Sequence, residues 1–208
     1  MSITILVTGF GPFPGAPFNP TGPLARRLAR KRRPALANVR IVTHVFPTSY
    51  AAVDRELPML IAKHKPRALL MFGLASRSRN VRVETRARNS LAPLPDAAGV
   101  SIDRYVITVG KPSSVPLPAP RRPLLGAFHG IVPTALSRDA GRYLCNYLCW
   151  RAAQQASTGT GPRIAAFVHV PPVRRGSRRK RGKVSLTLDD LVMAGARALV
   201  AIAAEARR

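Results

Sequence analysis

Short apolar runs rich in β-branched residues recur along this chain, each followed by a stretch with helical spacing, and that alternation restricts the fold more than any other feature. "ITILVTGF", Ile3–Phe10, is apolar and bounded by glycine, the pattern of a strand buried on both faces. The Gly- and Pro-dense "GFGPFPGAPFNPTG" that follows excludes helix, and Pro23 to Arg33, with Leu24 and Leu28 at helical spacing, predicts an amphipathic helix. Val39–Phe46 predicts a second strand, Tyr50–His64 a helix with an irregularity at Pro58, and Arg67–Leu74 a third strand. Strands joined through helices imply an α/β fold, a mostly parallel twisted sheet covered on both faces. With 208 residues, nearly half of them apolar, one domain spanning 1–208 is expected.

The second half is less regular. Asn80 to Asn89 alternates with period two and predicts one strand, and Gly99 to Gly110 has weaker β character. Lys111 to Gly126 is Pro-rich and reads as a loop or extended connection, followed by an apolar piece from Phe128 to Val132. "GRYLCNYLCWRAAQQA" has a helical pattern, and "PRIAAFVHVPPV" predicts a buried strand ending at His169. In the last segment Thr187 is placed to cap a helix, with Asp190 three residues on. No internal repeat is present.

Several function classes recede on these grounds. There is no apolar run of eighteen residues, and the first residues lack a charged n-region and cleavage site, so a soluble, cytoplasmic protein is expected. The net charge of +25 raises nucleic acid or acidic surfaces as partners. Yet the basic residues cluster in "ARRLARKRRP" and in "VRRGSRRKRGK", Val173 to Lys183, neither interleaved with aromatics for stacking on bases. A solvated basic surface with salt-sensitive, non-specific affinity for nucleic acid is the expectation.

Only two cysteines occur, Cys145 and Cys149 in "DAGRYLCNYLCW". One helical turn apart, they are poorly placed for a disulfide, lack the redox Cys-x-x-Cys spacing and have no neighbouring ligand for zinc. Cys145 falls early in its helix, where unpaired N–H groups favour a thiolate, although a packed structural thiol fits the spacing too. A thiol nucleophile needs a base. Of four histidines, His169 alone ends a buried strand, where α/β folds assemble sites, and a satisfied strand-end histidine is the alternative. Glu84 stands out because acids number nine against thirty-four bases, and it could equally be a surface ion-pair partner.

Four segments, in order, carry a family resemblance. "ILVTGFGPFPGAPFNPTG" resembles the N-terminal signature of the pyroglutamyl peptidase I, or pyrrolidone-carboxylate peptidase, family. "GLASRSRNVRVETRARN" resembles its Glu-Arg-x-Ala-x-Asn segment at Gly73, Ala75, Glu84, Ala87 and Asn89. "AGRYLCN" resembles Ala-Gly-x-Phe-x-Cys-Asn at Ala140, Gly141, Tyr143, Cys145 and Asn146, and "FVHVP" resembles Phe-x-His-x-Pro at Phe167, His169 and Pro171.

The resemblance covers nearly the whole chain and implies a three-layer α/β/α sandwich. It also implies a cysteine exopeptidase that removes N-terminal pyroglutamate from peptides, with Glu84, Cys145 and His169 as its triad. Phe10, Phe13 and Tyr143 fall at the family's substrate-pocket positions. No metal or other cofactor is implied, and family members are cytoplasmic and often tetrameric. The chain departs from the pattern at Leu74, where the family has Gln, and at Ser76 to Ser78, where it has Gly-Gly-Arg. A family Arg before Leu94-Pro95-Asp96 has no clear counterpart, which leaves three alternatives: an oxyanion bound by backbone alone, a substitute such as Arg86 or Arg88, or slow turnover or an altered substrate. The alternative is a catalytically weak relative whose basic surface binds acidic partners or nucleic acid.

Overall fold

A computed structural model describes residues 2–174 and 186–208. Apart from Val173 and Arg174, the second basic cluster therefore lies outside the described residues. Eight strands are found among them: β1 (Ile3–Phe10), β2 (Val39–Phe46), β3 (Ala68–Leu74), β4 (Val81–Glu84), β5 (Arg86–Arg88), β6 (Ser114–Pro116), β7 (Thr134–Ser137) and β8 (Ile164–Val170). The helices are α1 (Thr21–Ala29), α2 (Tyr50–His64), α3 (Arg121–Phe128), α4 (Leu144–Ala156) and α5 (Leu188–Ala206), with a 3-10 turn at Pro34–Leu36.

Six strands form one sheet in the order β2-β1-β3-β8-β4-β7. β2, β1, β3 and β8 run parallel, as the alternation predicts, and β4 runs antiparallel to β8 with β7 parallel to β4. Because side chains alternate along a strand, each strand feeds two cores. Ile5, Val7, Leu70, Phe72, Val83 and Val168 pack with α1, α3 and α5; Leu6, Phe10, Leu69, Met71, Ala165 and Phe167 pack with α2 and α4. The result is the three-layer α/β/α sandwich.

The period-two run from Asn80 to Asn89 is two strands, not one. At Thr85 the chain leaves the large sheet, and β5 pairs with β6 in a separate two-stranded ribbon. α2 continues through Pro58 without a break. α1 begins two residues earlier than predicted and stops at Ala29, ahead of four consecutive cations and Pro34. The Pro-rich middle, expected to be irregular, contains β6 and α3. Pro123 fits α3 because the N–H groups of a first helical turn have no intrahelical partner to lose. At α5 the predicted capping box is complete: Thr187 Oγ1 accepts from Asp190 N (3.2 Å), and Asp190 Oδ2 accepts from Thr187 N (2.9 Å). No helix among the described residues is long and apolar enough to cross a membrane.

Candidate active site

At the C-terminal ends of β3 and β8 the sheet carries a row of three residues. Parallel pairing sets Gly73 of β3 opposite His169 of β8, and antiparallel pairing sets His169 opposite Arg82 of β4. All three face α4, as does Glu84, two residues beyond Arg82 on the same side of its strand. His169 Nδ1 lies 2.8 Å from Glu84 Oε1, and the Glu84 carboxylate has no exposed surface. A surface ion-pair role for Glu84 is thereby excluded.

Cys145 enters from the other side. It is the second residue of α4, partly exposed, and its sulfur occupies the space above Gly73: a Cβ at Gly73 would lie 2.7 Å from Cys145 Sγ and 2.6 Å from Phe167 Cζ. The thiol is also within hydrogen-bonding reach of the imidazole. Burial opposes the charged form of His169, but Cys145 and Glu84 on its two sides outweigh it, and the imidazolium is held up to about 9. Cys149, one turn on, is fully buried, and burial pushes its thiol well above the usual range. Both cysteines are free.

No side chain caps the first turn of α4, which leaves its leading backbone N–H groups available beside the thiol. The helix is fixed instead by Asn146. Its Nδ2 donates to the carbonyls of Arg88 (2.8 Å) and Ser90 (3.0 Å), and its Oδ1 accepts from Arg88 N (2.8 Å). The segment leading away from Glu84 is thus bolted to the helix carrying Cys145. Asn89, beside it, holds the next loop through Thr108 and Lys111.

The three predicted pocket residues lie in different settings. Phe10 ends β1, buried against Phe46 with ring centroids 6.1 Å apart. Phe13 is half-buried in a tight turn closed on Ala16, within a loop anchored where Asn19 Nδ2 donates to Gly11 O. Tyr143 precedes α4, half-buried, edge-on to Tyr50 at 5.9 Å, with its hydroxyl donating to Pro95 O. Asp96, next to that carbonyl, accepts from the backbone of Tyr50, Ala98 and Val100. Burial raises its carboxyl, but these donors prevail and hold it below the usual range.

Of the arginines considered as substitutes, Arg88 pairs with Asp139 at 3.4 Å. The cation beside the site is one not singled out from the sequence: Arg82, whose Nε lies 3.7 Å from Glu84 Oε1. Its position was visible in "VRVE", since residues two apart on a strand share a face. Among the described residues, no group of three or more His, Cys, Asp or Glu side chains could hold a metal ion.

A family model described as pyroglutamyl peptidase matches residues 3–206. The chain belongs to the pyroglutamyl peptidase family. The pyrrolidone-carboxylate peptidase of Streptococcus suis is 31% identical over 194 residues, covering 90% of this chain and 86% of that one. That of Pyrococcus furiosus is 29% identical over 181 residues, 86% of each. Among solved structures, the pyrrolidone carboxyl peptidase from Thermococcus litoralis superposes with a TM-score of 0.85 at 29% identity, covering 99% of this chain and 96% of that one. Bacillus amyloliquefaciens pyroglutamyl peptidase I gives 0.84 at 26% identity, covering 98% of each. The pyroglutamyl peptidase fold therefore extends over nearly all of the chain.

Proposed function

We propose that this protein is a cysteine exopeptidase that hydrolyses the bond after an N-terminal pyroglutamyl residue, with Cys145 as nucleophile, His169 as acid and base, and Glu84 as the carboxylate orienting the imidazole. The observation that carries this reading is the 2.8 Å contact of His169 Nδ1 with Glu84, on an imidazole whose other side meets Cys145. Family membership supports the substrate class.

In this mechanism the Cys145 thiolate attacks the carbonyl carbon joining the lactam to the next residue, its proton having passed to His169 Nε2. Glu84 fixes the tautomer with Nδ1 protonated and stabilises the imidazolium. The leading N–H groups of α4 stabilise the oxyanion. Collapse of the tetrahedral intermediate breaks the C–N bond as His169 protonates the leaving amine. Water, deprotonated by the now neutral His169, then attacks the thioester, releasing pyroglutamate and restoring the thiol. Phe13 and Tyr143 contact the flat, neutral lactam, and Phe10 backs the pocket from the core.

Residues 1–208 act as one catalytic domain in this reading, in the cytoplasm, and a homo-oligomer such as a tetramer is the expected assembly. Hydrolysis of a fluorogenic pyroglutamyl amide by the wild type, lost in Cys145→Ser, tests the reading. A wild type without activity on that amide, or a serine variant with undiminished activity, refutes it.

A further inference from the structure

Glu84 Oε1 faces two cationic side chains. It contacts His169 Nδ1 at 2.8 Å, and Arg82 Nε stands 3.7 Å from the same oxygen. Strand geometry dictates this: Arg82 and Glu84 share a face of β4, and the antiparallel register sets Arg82 directly across from His169. With Cys145 Sγ above Gly73 on the opposite flank, the imidazole lies between a thiol and a guanidinium.

At 3.7 Å the Arg82 contact is one of charge, too long for a hydrogen bond. Arg82 Nε is buried without a hydrogen-bond partner, and so is Glu84 Oε2. The Arg82 side chain is 36% exposed, whereas the carboxylate is fully enclosed. A buried carboxylate is costly unless compensated, and a flanking imidazolium that gives up its proton during each turnover compensates it incompletely. Arginine stays charged at every pH the enzyme meets.

We propose that Arg82 is a positioning residue of the triad, sharing Glu84 with His169 so that the carboxylate stays ionised while the imidazolium is held less firmly. The proposal rests on the peptidase reading. An imidazolium bound too tightly is a weak acid toward the leaving amine, and a permanent cation on the same oxygen limits that binding. Among the described residues, the other titratable groups facing this cluster are Cys145 and Cys149, both from α4. From the neighbouring strands, β3 presents Gly73 and β7 pairs Ser137 with Glu84, neither of which titrates.

Two readouts separate this role from a packing or substrate-binding one. In Arg82→Gln, kcat for a pyroglutamyl amide should fall about threefold to tenfold with KM within twofold of wild type, and the alkaline limb of kcat/KM should move up by about half a pH unit. In a Cys145→Ser background, an NMR titration of His169 should show the same upward shift when Arg82→Gln is added. Arg82→Lys, which keeps the charge, should recover most of the kcat and the lower histidine pKa. A KM increase with unmoved pH limbs, or a histidine titration indifferent to Arg82→Gln, overturns the proposal. If the glutamine variant does not fold, Arg82→Lys decides: a histidine pKa unchanged from the Cys145→Ser parent supports the charge role, and a displaced one overturns it. Because the titration needs no substrate, an inactive wild type would refute the peptidase reading and leave the Arg82 result legible.

Discussion

Gly73 leaves empty the space into which Cys145 Sγ settles: a Cβ there would stand 2.7 Å from the sulfur, with the Phe167 ring closing off the other direction. Phe167 is wholly buried and packed, so the sulfur, the terminal atom of its side chain, is the neighbour that must shift. Gly73→Ala should therefore move the thiol away from His169 and lower kcat/KM by about a hundredfold or more, since displacements near 1 Å at reacting atoms cost that much. Steady-state kinetics check this, and a melting curve establishes that the variant is folded.

The two thiols should behave as different chemical species. Cys145 is partly exposed beside an imidazole, and Cys149 is fully buried with its ionisation suppressed. Iodoacetamide on the native protein should alkylate Cys145 alone, as read by peptide mass spectrometry. Cys145→Ser should lose about a thousandfold or more of kcat, whereas Cys149→Ala should keep most activity and cost about 1 kcal/mol of stability. Equal losses in the two variants would mean that the thiols are wrongly assigned.

In the proposed mechanism His169 should make both activity and stability pH-dependent. Its folded pKa of about 9 exceeds the unfolded 6.5, so its contribution to stability is fully present below about 6.5 and disappears as pH rises through 9. The same deprotonation removes the acid that the leaving amine needs, so kcat/KM should fall on an alkaline limb near 9. Melting temperatures across pH 6 to 10 for wild type and His169→Gln isolate the term: the variant should lack that component of the alkaline loss.

Asn146 replaces a stretch of sheet hydrogen bonding with one side chain. Asn146→Ala leaves the Arg88 N–H and the Arg88 and Ser90 carbonyls without their partner. A cost of about 2–4 kcal/mol follows from stranding such groups, which for a chain of this size is a fall of roughly 5–15 °C in Tm. Activity should drop as well, since the same bonds hold β5 and the residues after it, which lead away from Glu84, against the helix of Cys145. Differential scanning calorimetry and kinetics on the one variant test both.

What could be read without coordinates was set by how locally each signal is written. β1, β2, β3 and β8 are long apolar runs, and Thr187 with Asp190 spell a cap within four residues, so their elements fall where the pattern puts them. β7 is four residues long and half exposed, with no periodicity to betray it. The direction of β4 and the break at Thr85 depend on partners far along the chain, which period-two alternation cannot encode. That Glu84, Cys145 and His169 come together is an expectation written in the company of their motifs, and the three do lie side by side. Arg82 was not legible, because a cation in a chain with thirty-four of them carries little information until a neighbour gives it a partner.

The position of β8 has a consequence for how the protein is made. Among the described residues it is the last strand along the chain, yet it fills the middle of the sheet, between β3 and β4. Until it is synthesised and inserted, β3 and β4 have no shared partner, and Glu84 has no histidine to hold. A ribosome-bound intermediate would therefore carry Cys145 and Glu84 without His169, exposing two unpaired strand edges to aggregation and chaperones. Closure of the sheet and acquisition of peptidase competence become a single late event in the folding of the chain.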